Sequence, residues 1–260
     1  MNGHGWVRIG PVRARPDAEE EVAILGLAGR RTADPAGARV LRLAPLHRTL
    51  LLPGTGGGER ILKVHRGRPM LDLLRDLPSG RALLPSARIE CENLLELRAR
   101  GFSVPEPLAW GKNGPESFAL LRPVRGTPLD AWLRGRGRSD PRARGRVLRE
   151  LAALLARFHG ERRFHRDLYA CHVLVGAHGG LSLIDLARAR RGRLVRRRWF
   201  VKDLAALASS VPSPPTSRTD RVRFLRAYLS ARGRAGELRA WALAVERRVA
   251  RLRARGERGG

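Results

Sequence analysis

Apolar residues in the first half of the chain come in short runs. Val40, Leu41 and Leu43 precede Ala44-Pro45, His47 to Leu52 follow, and Ile61 to Val64 form a third run. Pro53-Gly54-Thr55-Gly56-Gly57-Gly58 separates the second run from the third. Short runs joined by tight turns predict an antiparallel sheet. A helix is predicted over Ala87 to Arg100, with Ile89, Leu94, Leu95 and Leu97 as its apolar face and Gly101 as its stop. Phe118 to Leu121 read as one more strand, and Lys112, in Gly111-Lys112-Asn113-Gly114, as a turn residue.

After Pro123 the period changes. Asp140-Pro141 reads as an N-cap followed by proline at the first helical position. Val147, Leu148, Leu151, Leu154, Leu155 and Phe158 then recur at helical spacing, predicting a buried helix that ends near Gly160. Val173 to Val175 and Leu181 to Ile184 flank Gly176-Ala177-His178-Gly179-Gly180 and predict a hairpin. From Lys202 onward the pattern is helical, interrupted by Val211 to Thr216. Residues 1–38 predict no element. The expected class is α+β: an N-terminal extension of unclear role over 1–38, a sheet-rich lobe over 39–122, and a mainly helical lobe over 123–260.

Composition narrows this picture. Of 260 residues 43% are hydrophobic, enough to bury a core. Two cysteines cannot make a disulfide framework or a paired Cys-x-x-Cys zinc site, and they read as small core residues. Val22 to Gly29 falls far short of the roughly 20 residues a bilayer span needs, and the first ten residues carry no apolar signal segment. The expected location is the cytoplasm.

The formal charge is +28, yet only three of the 52 basic residues are lysine: Lys63, Lys112 and Lys202. Arginines spread along the whole chain read in part as compositional drift, and no nucleic-acid partner is expected. One local feature stands out. Arg188, Arg190, Arg191, Arg193, Arg196, Arg197 and Arg198 crowd a single short stretch that would attract a polyanion.

The strongest chemical signal is Phe164-His165-Arg166-Asp167-Leu168-Tyr169-Ala170-Cys171-His172, between the buried helix and the hairpin, which ends in Leu183-Ile184-Asp185-Leu186. Helix, His-Arg-Asp, hairpin and Asp follow the order of a kinase catalytic loop and its metal-binding aspartate. Phosphoryl transfer needs one carboxylate to orient and deprotonate the attacking hydroxyl, and another on Mg²⁺ to offset the triphosphate's charge. Asp167 and Asp185 suit those tasks, and Arg166 is grouped with the catalytic residues. In Ile61-Leu62-Lys63-Val64 a lysine sits in an apolar strand, as where an ammonium contacts the α- and β-phosphates. Its partner should be a glutamate on the next helix, Glu90 first and Glu92 second. Gly54-Thr55-Gly56-Gly57-Gly58 imitates a phosphate-cradling loop but sits one turn too late. It reads as a hairpin tip.

With these residues in place, the chain resembles the lipopolysaccharide core sugar kinases, which phosphorylate heptose or Kdo on a protein-kinase-like fold. The resemblance is carried by residues 165–172, by Leu183-Ile184-Asp185-Leu186-Ala187-Arg188 and by Arg198-Trp199-Phe200-Val201-Lys202-Asp203-Leu204. It extends to Asp220-Arg221-Val222-Arg223-Phe224-Leu225, His47-Arg48-Thr49-Leu50, Lys63-Val64-His65-Arg66-Gly67 and the helix from Glu90 to Gly101. His172 stands where most kinases have asparagine, as in this family.

The resemblance implies a bilobal fold with ATP between the lobes and Mg²⁺ as cofactor. Asp167 becomes the catalytic base, Lys63 the phosphate contact with Glu90 as partner, and Asp185 the magnesium ligand. Asp203 becomes an anchor of the catalytic-loop backbone. His172 could bind metal, bond a phosphate or hold the loop. Leu121 to Val124 would be the adenine-contacting hinge, where Pro123 lacks an N–H and Arg122 or Val124 must supply one. Arg188, Arg196, Arg197 and Arg198 would face an anionic glycolipid acceptor, the lipid A–core, at the cytoplasmic face of the inner membrane. Cys91 and Ala187 depart from the family pattern. A kinase of another small molecule or of protein Ser/Thr, and a nucleotide-binding pseudokinase, remain alternatives.

Overall fold

The computed structural model describes residues 6–9, 12–18, 37–54, 58–67, 84–192 and 195–256. Two compact units divide the chain, Met1–Val124 and Arg125–Gly260.

The first unit is built on a seven-stranded antiparallel sheet. Its strands are β1 (Val7–Ile9), β2 (Val12–Ala14), β3 (Arg39–Ala44), β4 (His47–Pro53), β5 (Glu59–His65), β6 (Glu106–Asn113) and β7 (Glu116–Arg122). Their order is β1-β2-β6-β7-β5-β4-β3. The sheet therefore begins well before Arg39. This corrects the unassigned N-terminal extension: Val12, Ala14 and Ala18 are fully buried in the core with Leu50, Leu52, Leu62, Val64, Leu108, Phe118 and Leu120. Alternation in β5, with Leu62 and Val64 inward, leaves Lys63 on the opposite face.

Strand β6 escaped the pattern because Pro107 and Gly111 read as breakers. The ladder accommodates Pro107 through a shift of register between Pro107 and Ala109. Gly111 is required by close approach, since a Cβ there would stand 2.5 Å from the Phe118 ring. Lys112 pairs with Ser117 inside the ladder, so the turn falls after it, where Gly114 has φ 57°. Helix α1 (Ser86–Ala99) packs on the sheet through Ile89, Leu94 and Leu97, and Gly101 at φ 72° follows it. The hairpin between β4 and β5 is closed at its base by Gly54 N–H donating to Gly58 O. Thr55, Gly56 and Gly57 lie outside the described residues.

The second unit is mainly helical. The short strand β8 (Thr127–Pro128) leads into α2 (Leu129–Arg134), α3 (Arg136–Ser139) and the long α4 (Pro141–Gly160). Asp140 caps α4 by accepting from Ala143 N–H at 2.8 Å. Leu151, Leu155 and Phe158 of α4 are almost fully buried. Strand β9 (Arg163–Phe164) ends at the catalytic-loop motif, and β10 (Val173–Val175) pairs antiparallel with β11 (Leu181–Leu183) as the predicted hairpin. Strand β12 (Arg190–Arg191) returns to pair with β9. Three helices complete the unit: α5 (Arg197–Ser210), α6 (Arg218–Ala231) and α7 (Leu238–Gly256). Ser217 and Asp220 form a reciprocal capping box at the start of α6. Among the described residues no helix is long and apolar enough to cross a membrane.

Candidate active site

In the first unit, Lys63 Nζ lies 2.6 Å from Glu90 Oε1, with side chains 13% and 1% exposed. A charge so withdrawn from water persists only when paired. Of the two glutamates weighed for this place, Glu90 takes it. Glu92, on another face of α1, pairs with Arg88 at 2.8 Å. His65 Nε2 lies 3.5 Å from Glu90 Oε2. Leu121 is buried near the end of β7, and Val124 lies half-buried two residues beyond that strand.

In the second unit the catalytic loop is held from beneath by Asp203 on α5, a fully buried carboxylate. Its Oδ2 accepts from His165 N–H at 2.5 Å and its Oδ1 from Arg166 N–H at 2.8 Å. These are charge-assisted bonds to backbone that no regular element satisfies. They hold Arg166 at φ 76°, a left-handed conformation costing a non-glycine residue of order 1–3 kcal/mol. Arg166 itself, grouped by sequence with the catalytic residues, is 3% exposed. Its side chain belongs to the loop's interior.

Asp203 is steadied in turn. His159 Nε2 lies 3.4 Å from Asp203 Oδ2 and donates to it, which leaves Nδ1 to accept from the Tyr228 hydroxyl at 2.8 Å. Arg232 donates to Tyr228 Oη at 3.2 Å. Burial pushes the Tyr228 hydroxyl up to about 12 and pulls His159 below the usual imidazole value. Sequence reading missed this chain of polar groups, because nothing along the chain links residues 159, 203 and 228.

His165 closes the loop against the hairpin. Fully buried, it donates from Nε2 to Ile184 O at 3.0 Å, and burial lowers its pKa. Ile184 N–H donates back to His172 O at 3.0 Å. Asp185 follows at once, itself left-handed at φ 58°.

His172 bridges the two aspartates. Its Nδ1 lies 2.7 Å from Asp167 O, a carbonyl that can only accept, so Nδ1 carries the proton. Its Nε2 lies 3.5 Å from Asp185 Oδ2. Among the described residues no three His, Cys, Asp or Glu side chains cluster as a metal cage. That is compatible with magnesium, which keeps its waters and binds through one or two carboxylates plus substrate phosphates. Asp185 supplies the kind of carboxylate oxygen that such an ion takes.

Arg188, expected to face the acceptor, donates from Nη1 to both oxygens of Asp167, at 3.0 and 2.9 Å. Arg196, Arg197 and Arg198 lie at the start of α5, whereas Arg193 lies outside the described residues. Lys202, one turn further on, is half-buried and its pKa is lowered by burial; the charges of Asp167, Arg166, Arg188 and Asp203 all act on it. Of the two cysteines, Cys91 is buried as expected but Cys171 is exposed.

A carboxylate braced by a basic side chain, beside a second carboxylate primed for a cation, is the equipment of a phosphotransferase. The model of the lipopolysaccharide kinase (Kdo/WaaP) family matches residues 38–228, and the chain belongs to that family. The chain is 30% identical over 243 residues to the lipopolysaccharide core heptose(I) kinase WaaP of Pseudomonas aeruginosa, covering 85% of this chain and 89% of that protein. It is 28% identical over 190 residues to the protein of the same name from Escherichia coli, covering 67% and 72%. With that of strain K12 it shares 27% over 187 residues, covering 66% and 71%.

Proposed function

We propose that this protein transfers the γ-phosphoryl group of ATP to a hydroxyl of an inner-core lipopolysaccharide sugar, heptose or Kdo. The observation that carries the reading is His172 bridging Asp167 and Asp185, within a family of lipopolysaccharide kinases. Asp167 takes the proton from the acceptor hydroxyl as that oxygen attacks the γ-phosphorus. A new P–O bond forms, the bond to the β,γ-bridging oxygen breaks, and ADP leaves with the electron pair. Asp185, with His172 beside it, would hold magnesium, which when bound neutralises the charge of the triphosphate. Lys63, fixed by Glu90, is assigned to the phosphates of ATP, and Leu121 to Val124 to its adenine. Arg188 keeps the Asp167 carboxylate aimed. Arg196, Arg197 and Arg198 are assigned to the anionic acceptor. A protein-kinase-like bilobal fold belongs to this reading, supported by a sheet unit carrying Lys63 and a helical unit carrying both aspartates. So does action from the cytoplasm, at the inner membrane.

The test is transfer from γ-labelled ATP to purified lipid A–core, beside a panel of free sugars and a protein Ser/Thr substrate. Incorporation into the glycolipid, reduced at least about a hundredfold in Asp167→Asn, is the expected result. Label on free sugars or on protein alone would end the lipopolysaccharide assignment.

A further inference from the structure

Between α5 and α7 runs a groove of about 560 Å³ with a concentrated charge. Arg197, Arg198 and Lys202 line it from α5, and Arg247, Arg248 and Arg251 from α7, with no Asp or Glu among the lining residues. Drift in composition scatters arginines. It does not gather six cations onto one concave face and leave every carboxylate out.

Three details turn the groove from a charged surface into a receptor. Trp199, Val201 and Ala244 give it an apolar floor. The Arg198 guanidinium stacks over the Trp199 ring at 5.3 Å and Arg197 over Trp241 at 4.8 Å, which holds two flexible forks in place before anything binds. Glu237, whose bonds go to Arg234 and Trp241, is the nearby carboxylate whose charge acts on Arg197. Arg248 Nε is buried without a hydrogen-bond partner among the described residues.

Lys202 gives the groove its address. It lines the concavity, with Nζ 6.0 Å from the Trp199 ring centre, and the charge of Asp167 acts on it. A ligand seated there lies within electrostatic reach of the proposed base. A surface serving only to rest on any anionic bilayer would need no such link.

We infer that this groove seats a phosphate group of the glycolipid acceptor, with the apolar floor against the ligand's non-polar part, so that the enzyme selects acceptors that already carry phosphate. The inference rests on the kinase reading above and adds α7 to the acceptor site. Phosphate on arginine forks gains paired hydrogen bonds as well as charge.

The experiment compares wild type, Arg247→Ser/Arg251→Ser and the exposed off-groove control Arg239→Ser, at saturating ATP, on intact lipid A–core and on the same acceptor after phosphatase treatment. Expected is a rise of about tenfold or more in KM for intact acceptor in the double variant, with kcat largely kept and the control unchanged. Dephosphorylated acceptor should show the same rise with wild type and little further loss with the variant. An unchanged KM, or equal losses on both acceptors, overturns the inference while leaving the kinase reading intact. If wild type transfers nothing, the kinase reading falls, and sedimentation with phosphatidylcholine vesicles doped with either lipid A–core or phosphatidylglycerol still tests the groove. Loss of binding by the double variant to lipid A–core vesicles alone supports it. Equal loss on both, or none, overturns it.

Discussion

One nitrogen of Arg188 straddles both carboxylate oxygens of Asp167, at 3.0 and 2.9 Å. The pair is partly open to water, with side chains 45% and 23% exposed, so its worth lies in orientation more than in stability. Arg188→Ala should therefore lower kcat by roughly tenfold to a hundredfold while moving acceptor KM little. Arg188→Lys should recover only part, because a compact ammonium on a flexible stem holds the carboxylate less firmly than a planar guanidinium. A rise in acceptor KM with kcat untouched would return Arg188 to the acceptor site.

Asp203 accepts from two backbone N–H groups, those of His165 and Arg166. Asp203→Asn puts an amide donor opposite one of them. The expected loss is on the order of 3 kcal/mol in urea unfolding, with kcat falling as well. Unchanged unfolding would show that the loop needs no anchor.

Lys63 and Glu90 form a pair with little water around it. Removing one member strands the other, so Lys63→Met and Glu90→Leu should each cost about 3 kcal/mol or more. The double variant should be more stable than the sum of single losses implies, yet remain without transferase activity. A cycle with no coupling energy would mean that the two groups act independently.

His159 and His165 are fully withdrawn from water, and burial lowers both pKa values below 6.5. Below that pH the unfolded chain takes up protons at these sites while the folded chain does not. Stability is thus full above about pH 6.5 and lost as pH falls, by at most about 1.4 kcal/mol per pH unit for each histidine. Melting temperatures measured from pH 7.5 down to 5.5 check this, and His159→Gln should flatten the slope. A melting temperature that rises on acidification would contradict it.

Much of this was legible in the chain because the informative signals are local. The α4 N-cap, the 173–184 hairpin and the lysine strand β5 each announce themselves within a few residues. Glu90 was preferred over Glu92 on family spacing, and the coordinates give it the ion pair. What could not be read depends on contacts between distant segments. Strand β6 hides behind Pro107 and Gly111, and β2 earns its place only by pairing with β6. The Tyr228–His159–Asp203 relay spans three helices. The contact of Arg188 with Asp167 was equally hidden, because 21 residues separate the two along the chain.

The arginine-rich stretch after Asp185 is stitched down where it begins. Arg190 and Arg191 of β12 are laddered to Phe164 and Arg163 of β9, immediately upstream of the His-Arg-Asp loop. A segment sewn to the loop it serves leaves little scope for the order–disorder switching by which signalling enzymes are turned on and off.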